Sequence, residues 1–294
     1  MKLLSKVQYI GAPAVVALAL GVVLVGQAAT AQTQHYLQTN LVSNQASLAP
    51  TVDASLVNSW GLSRSSKSPW WVADNGTGMS TLYNGTGAKQ GLIVTIPSGD
   101  TGVSPTGTPT GTVYNGDSTA FLLAPGKAAA FLFVTEDGTI SGWNPGVNLG
   151  QSVIMVNHKS ASVYKGVTIA MVQTSSGPQS YLYAADFRQG QVAVFDSTFK
   201  AVQLRDDRDD DDSGGNDHDR GNSDHDRSFD DERLPKGYAP FNVQNIGGNI
   251  YVSFAKQDSA KHDEGDGAGV GFVDGFSPRG RLLGRLQPGP WFDG

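Results

Sequence analysis

Phe133-Val134-Thr135-Glu136-Asp137-Gly138-Thr139-Ile140-Ser141-Gly142-Trp143-Asn144 reads as two short strands and the turn between them. An apolar run ends at a polar turn, a second run follows, and an aromatic with a polar neighbour closes the unit. The unit recurs as Trp70-Trp71-Val72-Ala73-Asp74 with Leu82-Tyr83-Asn84, and as Tyr183-Ala184-Ala185-Asp186 with Val194-Phe195-Asp196. A fourth copy is Tyr251-Val252-Ser253-Phe254 with Gly275-Phe276-Ser277. A repeat of roughly 40 to 50 residues built from short strands marks an array whose units cannot bury their apolar faces alone.

Working outward, each hairpin has an opening strand ahead of it: Asn58-Ser59-Trp60-Gly61-Leu62, Pro109-Thr110-Gly111-Thr112-Val113, Tyr164-Lys165-Gly166-Val167 and Pro240-Phe241-Asn242-Val243. A fourth apolar run follows each: Leu92 to Ile96, Val153 to Val156, Ala201 to Leu204 and Leu282 to Leu286. Four strands per unit predict an all-β chain, a β-propeller of four-stranded antiparallel blades at about 58–98, 108–156, 164–204 and 240–286. The first strand of each would line a central channel and the last would lie outside. An immunoglobulin-like sandwich gives no reason for the recurring aromatic and polar pair, and a parallel β-helix repeats at a shorter period. Thr39 to Asn44 reads as one further strand. The 37 glycines suit tight turns between strands and would burden helices.

Residues 1–31 are a different material. Lys2 and Lys6 precede an apolar run from Ile10 to Val25, Ala29-Thr30-Ala31 supplies small residues for cleavage, and no acidic residue occurs before Asp53. The run contains Pro13 and is short of the ~20 residues of a membrane span. It predicts a signal helix and a secreted or periplasmic domain of residues 32–294, with no membrane contact after cleavage. The chain has no cysteine, hence neither disulfides nor thiolate chemistry, and its stability must come from packing.

The strings Asn58 to Leu62, Pro105 to Val113, Thr135 to Asn144, Tyr164-Lys165-Gly166, Leu182 to Phe187 and Gly237 to Asn242 resemble those of an uncharacterised family of secreted bacterial β-propellers, over about Tyr36 to Leu286. The resemblance implies an export signal and six blades, and it brings no established activity or catalytic residues. Two departures stand out. Four blades are complete here, where family members continue with further blades; either the arc is open, as in a truncated product, or four blades close on themselves. The second departure is an acidic insert at Arg205 to Arg233.

The insert holds thirteen Asp or Glu against five Arg, a net −8 in a chain whose total is −6, so its acidity is local. With almost no apolar residues it reads as a solvated, disordered loop. Its ligand chemistry would be divalent cation binding, with Ca²⁺ the ion that hard oxygens suit. Asp209, Asp211, Asp217, His218, Asp219, Asp224, His225 and Asp226 are the candidate ligands. An EF-hand register through Gly214 fails, because Arg220 falls where the bidentate Glu belongs.

Elsewhere, Asp74, Glu136 and Asp186 occupy what read as equivalent positions in three blades: an acidic ring about the axis, or caps on hairpin turns, the latter being the commoner use. The loop Lys261 to Gly267 gathers His262, Asp263, Glu264 and Asp266, a cation site or a solvated loop. His35 and His158 stand without an evident Ser and Asp constellation. No nucleophile elbow, phosphate loop or dinucleotide fingerprint occurs. An acidic chain without a basic stripe disfavours nucleic acid. A ligand would meet the channel mouth, at Asn58, Trp60, Thr110, Lys165, Phe241 and Asn242. Gly and aromatics there also serve close blade packing. The sequence thus predicts an exported module binding a protein, glycan or surface polymer. The alternative is a Ca²⁺-dependent hydrolase or lyase of lactone type, by fold analogy alone, for which Asn58 and Asn242 are the nameable channel ligands.

Overall fold

The computed structural model describes residues 37–204, 228–286 and 289. The expected signal segment and the eight candidate ligands of the acidic insert lie outside them. All but two of the strands from residue 59 onward make four antiparallel four-stranded sheets, the blades of a propeller-like array. The first comprises β3 (Ser59–Ser63), β4 (Trp70–Asp74), β5 (Met79–Tyr83) and β6 (Lys89–Thr95), preceded by β1 (Val42–Ser43) and β2 (Thr51–Val52). In the second, β7 (Pro109–Tyr114) pairs with β10 (Phe131–Thr135), followed by β11 (Thr139–Trp143) and β12 (Val153–Asn157). A small hairpin, β8 (Leu122–Ala124) and β9 (Lys127–Ala128), sits on the β7 to β10 connection. The third sheet is β13 (Tyr164–Thr174), β14 (Gly177–Asp186), β15 (Gln191–Phe195) and β16 (Ala201–Val202). The fourth is β17 (Tyr238–Ile246), β18 (Asn249–Lys256), β19 (Phe272–Phe276) and β20 (Leu282–Arg285).

The period of two in each strand decides what packs where. In the first sheet Trp71 and Leu82 point to the second, where Trp71 stacks on Phe131 at 4.3 Å and meets Trp143 at 4.7 Å. Leu132, Val134 and Ile140 of the second sheet join Val167, Leu182 and Ala184 of the third. Tyr183, Ala185 and Val194 of the third then meet Val243, Val252 and Phe276 of the fourth. Fully burying such a side chain stabilises by about 1.5–3 kcal/mol, so the cores between blades carry the fold. Strand β3 lies along β7, β7 along β13, and β13 along β17.

The segment before β3 departs from expectation. Thr39 to Asn44 does not form one strand: only Val42–Ser43 is extended, paired in parallel with Thr51–Val52. The segment is instead held against the face of the first sheet that turns away from the second. Tyr83 donates its hydroxyl to Asp53 Oδ2 at 2.6 Å, Lys89 lies 2.7 Å from the same oxygen, and Thr77 Oγ1 donates to the Ser55 carbonyl at 2.9 Å. Side-chain anchors placed at Asp53 and Ser55 fix its course, which strand patterning around residue 40 does not reveal.

Candidate functional site

Each innermost strand carries one extra residue relative to its partner. The register breaks between Ser59 and Leu62, between Pro109 and Thr112, between Tyr164 and Gly166, and between Pro240 and Asn242. Bulges of this kind re-aim side chains. Here they turn Trp60, Thr110, Lys165 and Phe241, one from each blade, to a single region where the four first strands converge.

The residue after each is the closest approach of neighbouring blades. A Cβ on Gly61 would lie 2.5 Å from the Thr110 carbonyl oxygen, and one on Gly111 would lie 2.7 Å from the Val167 nitrogen. One on Gly166 would lie 2.8 Å from Asn242 Cα. Asn242 holds the equivalent position in the fourth blade and is exposed. Glycine is required where the next first strand packs, and the fourth blade, with no such strand beyond it among the described residues, carries a side chain.

Lys165 is the centre of the site. Its side chain is fully buried, and Nζ lies 2.5 Å from Glu136 Oε1 and 3.2 Å from Asp263 Oδ1. Three rings face the ammonium: Trp60 at 5.0 Å, Phe241 at 5.8 Å and Phe187 at 5.9 Å from ring centre to Nζ. The ion pair compensates the desolvation of the ammonium, and the ring faces add cation–π attraction. Glu136 takes a second hydrogen bond, from Asn75 Nδ2 at 2.8 Å. Asn75 Oδ1 accepts from Asn58 Nδ2 at 3.1 Å, and Asn58 Oδ1 from Trp60 Nε1 at 3.3 Å. On the other side His262 Nδ1 lies 3.1 Å from Asp263 Oδ1. Burial works to raise the Asp263 carboxyl, but hydrogen bonds from Lys165 and His262 outweigh it and hold the group below its ordinary range. All four blades contribute to one network.

Beside Lys165 is a cavity of about 100 Å³, lined by Trp60, Gly61, Thr110, Gly111, Lys165, Phe241 and Asn242. Five of the six residues expected at the channel mouth meet there. Asn58 is the exception, sitting behind Trp60 in the left-handed region at φ 50°. Two have in-house duties. Thr110 donates its hydroxyl to the Tyr164 carbonyl at 2.7 Å, and Asn242 Oδ1 accepts from the Val243 N–H at 2.8 Å.

The three recurring acids do not form a ring. The β10 to β11 turn is one residue shorter than its counterparts, for Val134 pairs with Ile140 whereas Asp74 pairs with Met79 and Asp186 with Gln191. Thr135 is therefore the equivalent of Asp74 and Asp186, and Glu136 is the equivalent of Asn75 and Phe187. Asp186 caps its turn, accepting from the Gln189 N–H at 3.2 Å. Asp74 accepts from Thr81 Oγ1 at 2.7 Å within its own sheet. Only Glu136 of the three reaches the axis. Asn75 and Phe187 were invisible as site residues because nothing marks the position after a strand-ending polar residue until the bulges set the register.

Glu136, His262 and Asp263 place one ligand atom each within 4.8 Å of one another, a set that suits a divalent cation in donor type. Lys165 Nζ stands between the two carboxylates. Asn58 and Asn242, the expected cation ligands, spend their carbonyl oxygens on Trp60 and Val243. Glu264 pairs with Gln257 in a backbone bridge at the base of this loop.

No protein-family model matches the chain. Two uncharacterized proteins of Acanthamoeba polyphaga mimivirus are similar, 28% identical over 251 residues and 29% identical over 253 residues. Each match covers 84% of this chain but only 56% and 59% of the viral proteins, so the chain spans under two thirds of their length. Among solved structures, a streptogramin B lyase overlaps 79% of this chain and 70% of its own, at 8% identity and a TM-score of 0.41. A PQQ-bound aldose sugar dehydrogenase from Streptomyces coelicolor overlaps 79% of this chain and 81% of its own, at 13% identity and a TM-score of 0.36.

Proposed function

We propose that this chain is an exported, bacterial-type propeller module that binds a glycan or other surface polymer through the mouth formed by Trp60, Lys165, Phe241 and Asn242. The observation that carries this reading is the convergence of one bulge from each blade on one cavity, with a half-buried Trp60 at its edge. About 100 Å³ admits an end group rather than a whole ligand, which fits the terminus of a larger polymer. An indole face with the Asn242 amide beside it offers a sugar ring both stacking and a hydrogen bond. Retention of the full chain on insoluble chitin, cellulose and peptidoglycan tests this. W60A should weaken retention on the preferred polymer about tenfold, the loss of one aromatic anchor. Equal retention of wild type and W60A would count against the mouth as the site.

A second reading, a metal-dependent hydrolase or lyase, is favoured by the proximity of Glu136, His262 and Asp263. Their imidazole and carboxylates suit Zn²⁺ or Mn²⁺ better than the Ca²⁺ expected from the fold analogy. The neighbouring Lys165 ammonium opposes it. Elemental analysis finding no stoichiometric metal, with no lactone turnover after metal addition, would remove it.

A further inference from the structure

A larger cavity, of about 530 Å³, opens on the third blade and shares no lining residue with the axial one. His158, Ser162, Tyr164 and Asp186 form one end, and residues of β15, β16 and the chain up to Leu204 form the rest. The short 3₁₀ turn Lys159–Ala161 folds Ser162 back towards His158, and the pairing of β13 with β14 brings Asp186 alongside. Tyr164 Oη lies 2.7 Å from His158 Nδ1, and Ser162 Oγ lies 3.5 Å from the same nitrogen. Ser162 also hydrogen-bonds Asp186, which accepts from the Val163 and Gln189 N–H groups as well.

An acyl-transfer triad requires the carboxylate on the imidazole, whereas here it sits on the serine and the backbone. The cluster is therefore not a triad. Tyr164 Oη and His158 Nδ1 share one hydrogen bond, which leaves Nε2 as the imidazole's other polar atom.

We propose that this cavity is a second binding site, for an uncharged molecule with an apolar body and one polar atom, such as a ketone oxygen, that hydrogen-bonds the His158 imidazole. Among the described residues no Lys or Arg lines it to offer an anion a countercharge, and Asp186 is already committed to three donors, so it offers a cation no free carboxylate. Val192, Val194, Phe195 and Leu204 supply apolar wall. Its volume lies in the range of about 300–1,000 Å³ typical of small-molecule sites.

Prodan, an uncharged naphthalene ketone whose emission shifts to the blue on leaving water, is the probe, and the anilinonaphthalene sulfonate anion is its charged counterpart. Titrating the full chain should give saturable prodan binding, and the anion should bind at least tenfold more weakly. Ala201 is exposed and lines the cavity, so A201W should fill it and abolish binding. H158A, which leaves the apolar wall intact and serves even if A201W fails to fold, should weaken prodan about tenfold, the worth of one good hydrogen bond. Absence of saturable binding, or equal binding of the anion, overturns the proposal. So does binding that survives A201W or H158A but is lost in L62K, which assigns it to the apolar groove at Leu41, Leu56, Leu62 and Trp70.

Discussion

The ammonium of Lys165, in the third blade, lies 2.5 Å from Oε1 of Glu136, in the second, and both side chains are nearly or wholly withdrawn from water. Removing one partner of such a pair strands the other, at about 3–5 kcal/mol. K165M should therefore lower unfolding stability by about 3 kcal/mol. K165M/E136Q should recover at least half of that, because the buried carboxylate is gone and Asp263, the other partner of Lys165, is exposed and keeps His262 beside it. Denaturant titration of the two variants and E136Q makes the cycle. A double variant as unstable as K165M would show that the cost lies in packing among Trp60, Phe187 and Phe241.

The glycines beside the bulges make a sharper comparison. A Cβ at Gly61 or Gly111 would press on backbone of the next blade at 2.5–2.7 Å, and backbone in a packed strand cannot retreat without moving its sheet. G61A and G111A should each cost about 1–3 kcal/mol, as overpacking does. N242A, at the equivalent position of the fourth blade, should cost under about 0.5 kcal/mol, as exposed substitutions do. Thermal melts of the three in parallel decide it, and a severe loss in N242A would mean that another strand packs there.

The four-stranded sheets were legible because a short apolar run, a polar turn and a closing aromatic recur at blade length. Trp60, Lys165 and Phe241 were legible as a group because each precedes Gly or Asn at a strand opening. Glu136 was seen but misaligned, since a turn one residue shorter in the second blade shifts equivalence from Asp74 to Asn75. His262 and Asp263 reach Lys165 from a loop 98 residues away along the chain, and no local pattern announces that contact. The cluster at His158 was missed because Ser162 returns through a 3₁₀ turn and Asp186 arrives from the end of β14, and chain order gives no sign of either.

Asp53 anchors the segment that precedes the first blade. Burial works to raise its carboxyl, but hydrogen bonds from Lys89, Tyr83 and the Ser55 N–H prevail and hold it below the ordinary range. A carboxylate with a depressed folded pKa stabilises above the unfolded value near 3.8, and that contribution disappears as pH falls through the folded pKa. D53N should cost about 2 kcal/mol at neutral pH, in line with charged hydrogen bonds, and speed amide exchange at Gly76, which donates to the Val57 carbonyl. The difference between D53N and wild type should shrink below pH ~4. A difference that persists there would assign the loss to geometry.

Asp74 has the opposite sign. Burial is the first cause that lifts its carboxyl to about 7, the nearby Asp53 charge adds to it, and the Thr81 hydroxyl opposes it. Its Oδ2 accepts from Thr81, and its Oδ1 has no hydrogen-bond partner among the described residues. Between the ordinary value of 3.8 and about 7 the folded chain holds a proton that the unfolded chain has released. Stability should therefore fall across that window as pH rises and level off above it, by about 2–4 kcal/mol in total. D74N keeps the shape and removes the charge, so it should flatten the slope between pH 4 and 7 and leave the variant more stable than wild type at pH 8. Denaturation midpoints of the two proteins across that range are the measurement. Parallel slopes would mean that Asp74 is ionised at its site, with Oδ1 finding a donor such as water.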